Sequence, residues 1–424
     1  DSQGRMRDGL EVDVIHITNI REEPILTRRR ILFLCLAAPW RLNGGALIRN
    51  YWMVRGLARD FDVDLVIAEA PDEAAPPDFA RDCSSITTFA APGGTGARIG
   101  RGLESLKPGE SYFTAGQVTG AFRRHVAAAV TRVRYAAIHI DDLPIQSAIP
   151  ARDCPPIVYA SHNCEYALFH RRAELERIPL RFLLLIDAER VRRIETALAR
   201  RAVLVTVCSD DDVQDLASYC GLDERRAVVV PNGVDVARYE PVSASPSERG
   251  CILISGSMDW RPNQQGLRWF LKDVLPQLQR LARQGEFTVR VAGRMTARMQ
   301  QELAGIPSVI AVPNPKDMRD ELARCQIVVA PILASSGTRL RILEAWAAGR
   351  PVVTTPAGAF GLDYCDGDEL LCATPPTEFA ASILRVLRDD ELWQHVRDRA
   401  AARVTQYDWR RICDGIATSH ANLL

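Results

Sequence analysis

The chain has 424 residues, more than one ordinary core holds and enough for two domains of average size. Hydrophobic residues make up 47% and charged residues 25%, which excludes a disordered or fibrous chain and fits a soluble globular one. Lys plus Arg and Asp plus Glu balance at 53 each, so no global field selects nucleic acid or an acidic partner.

Residues 1–28 carry no strong period, end at a run of arginines and read as an extension outside the fold. Asp13, Arg21, Glu22 and Glu23 break every apolar stretch there, so no signal-peptide core is expected. The apolar run 31–36 has strand length, Asn43-Gly44-Gly45 follows as a turn, a helix is predicted to about Arg59, and 62–68 is a second strand. Strand, glycine turn, helix, strand is one βαβ unit with a buried parallel sheet. Further strands are predicted at 85–89, 136–140, 157–160, 203–207 and 228–230, with a glycine-rich loop at 93–109 and a helix at 116–132. Residues 165–200 read as helical and dense in arginine, with an apolar patch at Phe182-Leu183-Leu184-Leu185-Ile186. The patch is too short to span a bilayer; it is expected to face the core, the alternative being a membrane surface or a lipid acceptor.

Pro231-Asn232-Gly233 is a turn, and 241–250 is a Pro/Ser linker. A second alternating series begins after it: strand 251–255, a helix to about 284, strands 287–292, 309–312 and 327–331, a helix at 340–348 and a strand at 352–354. Helical pattern returns at 377–387 and 391–405. The expected architecture is α/β, two doubly wound Rossmann-like domains at 29–240 and 241–404, with a final helix at 405–424 packing back on the first.

The strongest constellation is Ser335-Ser336-Gly337-Thr338-Arg339-Leu340-Arg341-Ile342-Leu343-Glu344, closed by Gly349-Arg350-Pro351. A strand ending at Pro331 feeds a small-residue loop that opens a helix at Gly337-Thr338. Free N–H groups and the positive dipole end at such a start suit a diphosphate. Arg339 and Arg341 add positive charge beside it. Glu344 lies about 10 Å further along the axis at roughly 1.5 Å per residue, a distance suited to ribose hydroxyls. The plain alternative is an i,i+3 surface pair of Arg341 with Glu344.

With Pro231-Asn232-Gly233-Val234-Asp235 and Gly256-Ser257-Met258-Asp259-Trp260-Arg261-Pro262-Asn263, this stretch resembles glycosyltransferase family 4, in its bacterial branch. Nearly all the basic residues are arginine and alanine is abundant, which also fits a bacterial source. The resemblance implies a GT-B fold, a nucleotide-sugar donor on the C-terminal domain, an acceptor on the N-terminal one, metal-independent chemistry and retention of configuration. By position, Glu344 resembles the ribose-binding second glutamate of the family's paired-glutamate motif, and Ser336 stands where the first, sugar-reading glutamate falls. Gly337 and Thr338 match the phosphate-facing loop. Arg261 sits where the family places a basic diphosphate ligand, beside Asn263; Arg341 replaces its usual lysine; Gly293-Arg294 matches a glycine turn, for which a simple turn serves equally well.

In the N-terminal half, Gly44 and Gly45 allow backbone N–H groups to approach phosphate or acceptor, although plain turn chemistry explains them as well. His139 with Asp141-Asp142, and His162-Asn163 with Glu165, stand at predicted strand ends. His139 is expected to point into packing. His162 resembles the family histidine beside the transferred sugar, and Asp141 an acidic position that contacts sugar or acceptor. His162, Asp141 and Arg261 are the catalytic candidates. Neither a cofactor nor a metal is expected, the donor being a co-substrate, a UDP- or GDP-sugar by preference. Asp210-Asp211-Asp212 after Ser209 reads as helix capping rather than a metal triplet. Eleven scattered cysteines without CxxC spacing suit reduced thiols, so a cytoplasmic or membrane-peripheral protein is expected, with a homodimer open. The acceptor is a sugar, a lipid-linked or a small-molecule hydroxyl. The competing readings are a nucleotide-sugar epimerase on the same fold and a non-catalytic nucleotide-sugar-binding protein.

Overall fold

The computed structural model describes residues 28–421 apart from 43, 91–94, 106, 108–109, 175, 259 and 334–339. Two β-sheets organise the chain. Strands β1 (Arg30–Cys35), β2 (Asp62–Ile67), β3 (Ser85–Thr88), β4 (Tyr135–Ile140), β5 (Ile157–Ala160), β6 (Leu204–Val207) and β7 (Ala227–Val229) form the first, in the order β3-β2-β1-β4-β5-β6-β7. Pairing of β1 with β2 and with β4 is parallel. The strand order reverses between β1 and β4, so the loops leaving their carboxyl ends diverge and open a crevice there. Gly44 and Asp141 follow those two strands.

Strands β8 (Cys251–Ser255), β9 (Thr288–Gly293), β10 (Val309–Pro313), β11 (Ile327–Ala330), β12 (Val352–Thr354) and β13 (Leu371–Cys372) form the second sheet, ordered β10-β9-β8-β11-β12-β13 and parallel throughout. Its strands are covered on both faces, which is why they read as continuous apolar runs. Ile252 and Ile254 of β8 and Ile327 and Val329 of β11 enter one core with Phe270, Leu278 and Phe379. Their alternate neighbours Cys251, Leu253, Val328 and Ala330 enter the other with Trp346, Tyr239 and Tyr407. The order reverses between β8 and β11, and this crevice receives the loop after Ser255.

The chain forms two compact units. One comprises residues 1–161, 193–205 and 416–424, and the other 162–192 with 206–415. In the first, Ile416 packs on Gly56 and His420 on His139. In the second, the turn at Gly233 is clamped by the start of the last helix: the Val234 N–H donates to Tyr407 and the Trp409 N–H to Val234.

Several sequence expectations need correction. Residues 95–104, expected in a loop, form a helix, Thr95–Glu104. Glycine weakens a helix by roughly 1 kcal/mol but does not forbid it, and Gly116 closes onto the Arg101 backbone as a tertiary support. The helical stretch 165–200 is two helices, Glu165–Glu174 and Leu180–Arg201. Its apolar patch does not face the core, because Phe182 is 60%, Leu183 62% and Ile186 55% exposed. The long helix after β8 is interrupted by a π-turn at Phe270–Val274, where the Leu275 N–H reaches back to the Phe270 carbonyl. Pro276 follows without an N–H of its own, which favours the wider turn there. The 241–250 stretch is no free linker: Arg350, 2% exposed, donates to the Val242 and Ser245 carbonyls as well as to those of Leu322 and Ala323.

Candidate functional site

The second unit gathers its candidate residues at the carboxyl ends of β8 and β9. Two glycines make this possible. Gly256 has φ +137°, and a Cβ there would lie 2.6 Å from the Arg341 guanidinium. Gly293 has φ +141°, and its Cβ would lie 1.9 Å from the Gly256 carbonyl oxygen. Both positions reject an L side chain on conformation and on space. The two turns therefore lie against each other, joined by the Gly256 N–H to Ala292 and the Met258 N–H to Arg294.

Side chains bind the turns into one network. Asn263 Nδ2 donates to the Ser257 carbonyl at 2.8 Å, and Arg341 Nη2 donates to Asn263 Oδ1 at 2.8 Å. Arg294 Nη2 donates to Ser257 Oγ at 2.9 Å. Arg261 is the first residue of the helix Arg261–Trp269, whose amino terminus lacks a side-chain cap. Its guanidinium grips Glu176 through Nε and Nη2, and Gln265 Nε2 donates to the same carboxylate at 3.2 Å. Arg172 lies beside this pair; burial and then the Arg261 charge depress its pKa. The guanidiniums of Arg294 and Arg341 thus attach to one turn and helix start, and Arg261 projects from that helix start to Glu176.

Arg341 and Glu344 lie on the helix Leu340–Ala347, three residues apart. They are not a solvated surface pair. Arg341 is committed to Asn263, and Glu344 Oε1 accepts from the Tyr239 hydroxyl at 3.1 Å. Burial lowers the Arg341 guanidinium to about 10, still charged at neutral pH, with Glu344 opposing the shift. Burial raises the Glu344 carboxyl above the usual range, against the lowering influence of Tyr239 and Arg341. Ser336, Gly337, Thr338 and Arg339 lie outside the described residues.

In the first unit, Gly44 caps the helix Gly45–Leu57 with extended backbone, and a Cβ on it would meet nothing within 4 Å. Neither conformation nor packing requires glycine there. Asp141 follows β4 with no exposed surface, its N–H donating to the Leu34 carbonyl, and lies 4.0 Å from His139 Nε2. A fully buried carboxylate has no direct path to an acceptor hydroxyl in this conformation. His139 is a packing residue, stacked on Phe33 at 4.5 Å and on His420 at 5.6 Å. His162 belongs to the second unit, where its carbonyl accepts from the Cys208 thiol at 3.4 Å. Ser209 caps the helix Asp210–Cys220 by accepting from the Asp212 N–H, and donates to Asp212 Oδ2 at 2.7 Å, so the acidic triplet opens a helix.

Sequence reasoning missed Glu176, Gln265 and Tyr239 and gave Ser257 no role of its own. Glu176 lies 85 positions before its partner Arg261 and Tyr239 105 before Glu344, separations across which no local pattern connects them.

Two family models match the chain one after the other. The family described as Glycosyltransferase Family 4 matches residues 44–238, and Glycosyl transferases group 1 matches residues 249–389. The chain belongs to glycosyltransferase family 4. Among family relatives, a phosphatidyl-myo-inositol mannosyltransferase of Mycolicibacterium smegmatis is 29% identical over 192 residues, 43% of this chain and 48% of that protein. The chain spans about half the length of the curated relatives it matches. Among solved structures, sucrose-phosphate synthase from Thermosynechococcus elongatus superposes with a TM-score of 0.70 at 16% identity, covering 93% of this chain and 99% of that one. HepE of Anabaena, solved in complex with UDP-glucose, gives 0.64 at 17%, covering 93% and 100%. At such identities the likeness shows the fold, the GT-B pairing of two Rossmann-like domains.

Proposed function

We propose that this glycosyltransferase moves a sugar from a nucleotide-diphosphate donor to an acceptor hydroxyl, with retention of configuration and without a metal. The observation that carries the reading is the tie of Arg294 to Ser257 and of Arg341 to Asn263 beside the paired glycine turns, with Arg261 opening the helix there and Glu344 one helical turn beyond Arg341. Cleaving the bond to a nucleotide sugar leaves negative charge on the diphosphate. Guanidiniums fixed in advance stabilise that charge without reorganising during the reaction. Asn263 and Ser257 hold Arg341 and Arg294 in place, and the open helix start at Arg261 adds N–H donors. Glu344 is the acceptor for the ribose hydroxyls. An arriving diphosphate competes with Glu176 for Arg261, exchanging one anion for another.

HepE is named as a complex with UDP-glucose, which supports a UDP-sugar as the first donor to try. The names of the curated relatives, a phosphatidyl-myo-inositol mannosyltransferase and D-inositol 3-phosphate glycosyltransferases, support an inositol-type polyol, free or in a lipid headgroup, as the first acceptor. Nucleotide sugars are cytoplasmic metabolites, and the reading places the reaction on that side. The deciding experiment incubates the protein with a panel of nucleotide sugars, with and without polyol acceptors, and follows nucleotide-diphosphate release. Release that requires both substrates, and that Arg261→Ala depresses, is expected. Donor conversion without any acceptor would favour an epimerase, and donor binding without turnover a non-catalytic binding protein.

A further inference from the structure

We infer that Tyr239 is a positioning residue for donor binding, which fixes the Glu344 carboxylate in advance for the ribose of the nucleotide. This role rests on the ribose reading of Glu344 and adds a residue that acts through it. Glu344 stands in the middle of the helix Leu340–Ala347, a long side chain with several rotatable bonds. Ordering such a side chain only when ribose arrives would weaken binding. The Tyr239 hydroxyl donates to Glu344 Oε1 at 3.1 Å, and no other hydrogen bond reaches either oxygen among the described residues. Glu344 keeps part of its surface accessible. One oxygen is thus held while the other remains to accept from a ribose hydroxyl.

The tyrosine is itself firmly placed. Its ring is 7% exposed and enters the same core as Val242, Leu343 and Trp346. The turn that carries it, Val236–Tyr239, is anchored on both sides. Before it, Val234 exchanges backbone hydrogen bonds with Tyr407 and Trp409. After it, Ser243 lies against Gly349, where a Cβ would come within 2.8 Å of the Ser243 Oγ. Tyr239 on Glu344 and Ser243 on Gly349 therefore set the register of the 236–243 segment along the helix. Arg319 Nη1 donates to the Arg238 carbonyl at 3.4 Å, with Asp317 holding Arg319. Burial raises the Tyr239 hydroxyl above its usual range, so it stays the donor. The charged groups facing Glu344 are Arg341 on its own helix and Arg238 on the turn, and both favour the carboxylate, as does the Tyr239 hydroxyl. The other elements packed on this helix are apolar towards it. β11 and β12 bring Val328, Ala330 and Val352, and the helix Asp390–Val404 brings Ala400 and Val404, while its Arg399 and Arg403 turn to Glu369. A phenylalanine at 239 would fill the same space, so what the hydroxyl adds is its bond to Glu344.

The test compares two ligands of the full chain by titration calorimetry: UDP or GDP, whichever binds more tightly, and inorganic pyrophosphate, which carries the charge but no ribose. Y239F keeps the ring and removes the bond. It should weaken the nucleotide by about twofold to tenfold, the cost of ordering one long side chain, and leave pyrophosphate binding unchanged. Loss of the hydroxyl also withdraws one support of the ionised carboxyl. The fall of nucleotide affinity on acidification should therefore begin at a higher pH in Y239F than in the wild type. In the E344A background, where nucleotide affinity is already reduced, adding Y239F should change nothing further. Equal weakening of nucleotide and pyrophosphate would overturn the inference, because a loosened fold would then explain both. An unshifted acid limb, or a full effect of Y239F in the E344A background, would overturn it as well. Wild-type nucleotide affinity in Y239F beside a weakened E344A would overturn it while leaving the ribose role standing. Wild-type affinity in E344A would instead remove the ribose role, and the positioning role with it.

Discussion

At the scale of single residues, Glu344 offers the sharpest test because its chemistry depends on charge. A carboxylate accepts well from ribose hydroxyls, and losing a charged acceptor costs about 1.5–3 kcal/mol, so under the proposed role Glu344→Ala should raise the donor KM by roughly tenfold to a hundredfold. An unchanged donor KM would remove the ribose role. The pH dependence has a definite sign. Burial raises the Glu344 carboxyl above its ordinary 4.5, so the charged form is lost earlier on acidification than that of a free glutamate. Donor affinity should be full above the raised pKa and fall as pH drops through it; titration calorimetry of nucleotide diphosphate across pH measures this. Gly44 tests a different kind of argument. Its backbone is extended and its surroundings are open, so Gly44→Ala should leave the melting temperature within error of wild type. If the glycine serves close approach of phosphate or acceptor, activity should fall all the same. Equal activity in that variant would return Gly44 to plain turn chemistry. Arg341 shows what a sequence can and cannot disclose about such residues. Its type and position point to positive charge beside a diphosphate, but its bond to Asn263 spans 78 positions and emerges only from the fold.

At the scale of elements, the legible parts were those with one dominant force. β1, β8, β11 and β12 read as continuous apolar runs because both faces are buried, and the structure places them there. The less legible parts are governed by tertiary context. The helix Thr95–Glu104 overrides three internal glycines, and the π-turn before Leu275 arises from a proline whose effect depends on the register of the helix. The patch at Phe182 is as apolar as a core strand, and only the course of the neighbouring chain decides that nothing covers it. Arg350 is the clearest example. As part of Gly349-Arg350-Pro351 it read as a helix stop, yet its buried guanidinium ties the 241–250 segment to the helix Met318–Arg324 through four carbonyls. Arg350→Ala would strand these acceptors and leave a large void, for which a loss of about 3–5 kcal/mol is expected. Urea denaturation checks this; a change below about 1 kcal/mol would mean that water replaces the guanidinium without difficulty.

At the scale of the molecule, the proposed donor site and the stability of the fold should be linked. The guanidiniums of Arg261 and Arg341 are each held by a residue, Glu176 and Asn263, that reaches them only in the folded chain, so a nucleotide diphosphate should bind the native state and not the unfolded one. Ligand at a hundred times its Kd then stabilises by about 2.7 kcal/mol. For a chain of this size that corresponds to a rise of a few degrees in Tm. UDP or GDP alone should produce the rise, because the site needs no acceptor to bind the diphosphate. The base giving the larger shift identifies the donor. Arg341→Ala should abolish the shift without the large loss of stability expected of Arg350→Ala, since among the described residues Arg341 donates to Asn263 alone whereas Arg350 holds four carbonyls. A shift that survives Arg341→Ala would locate diphosphate binding elsewhere, and the arginine cluster would then be a structural network only.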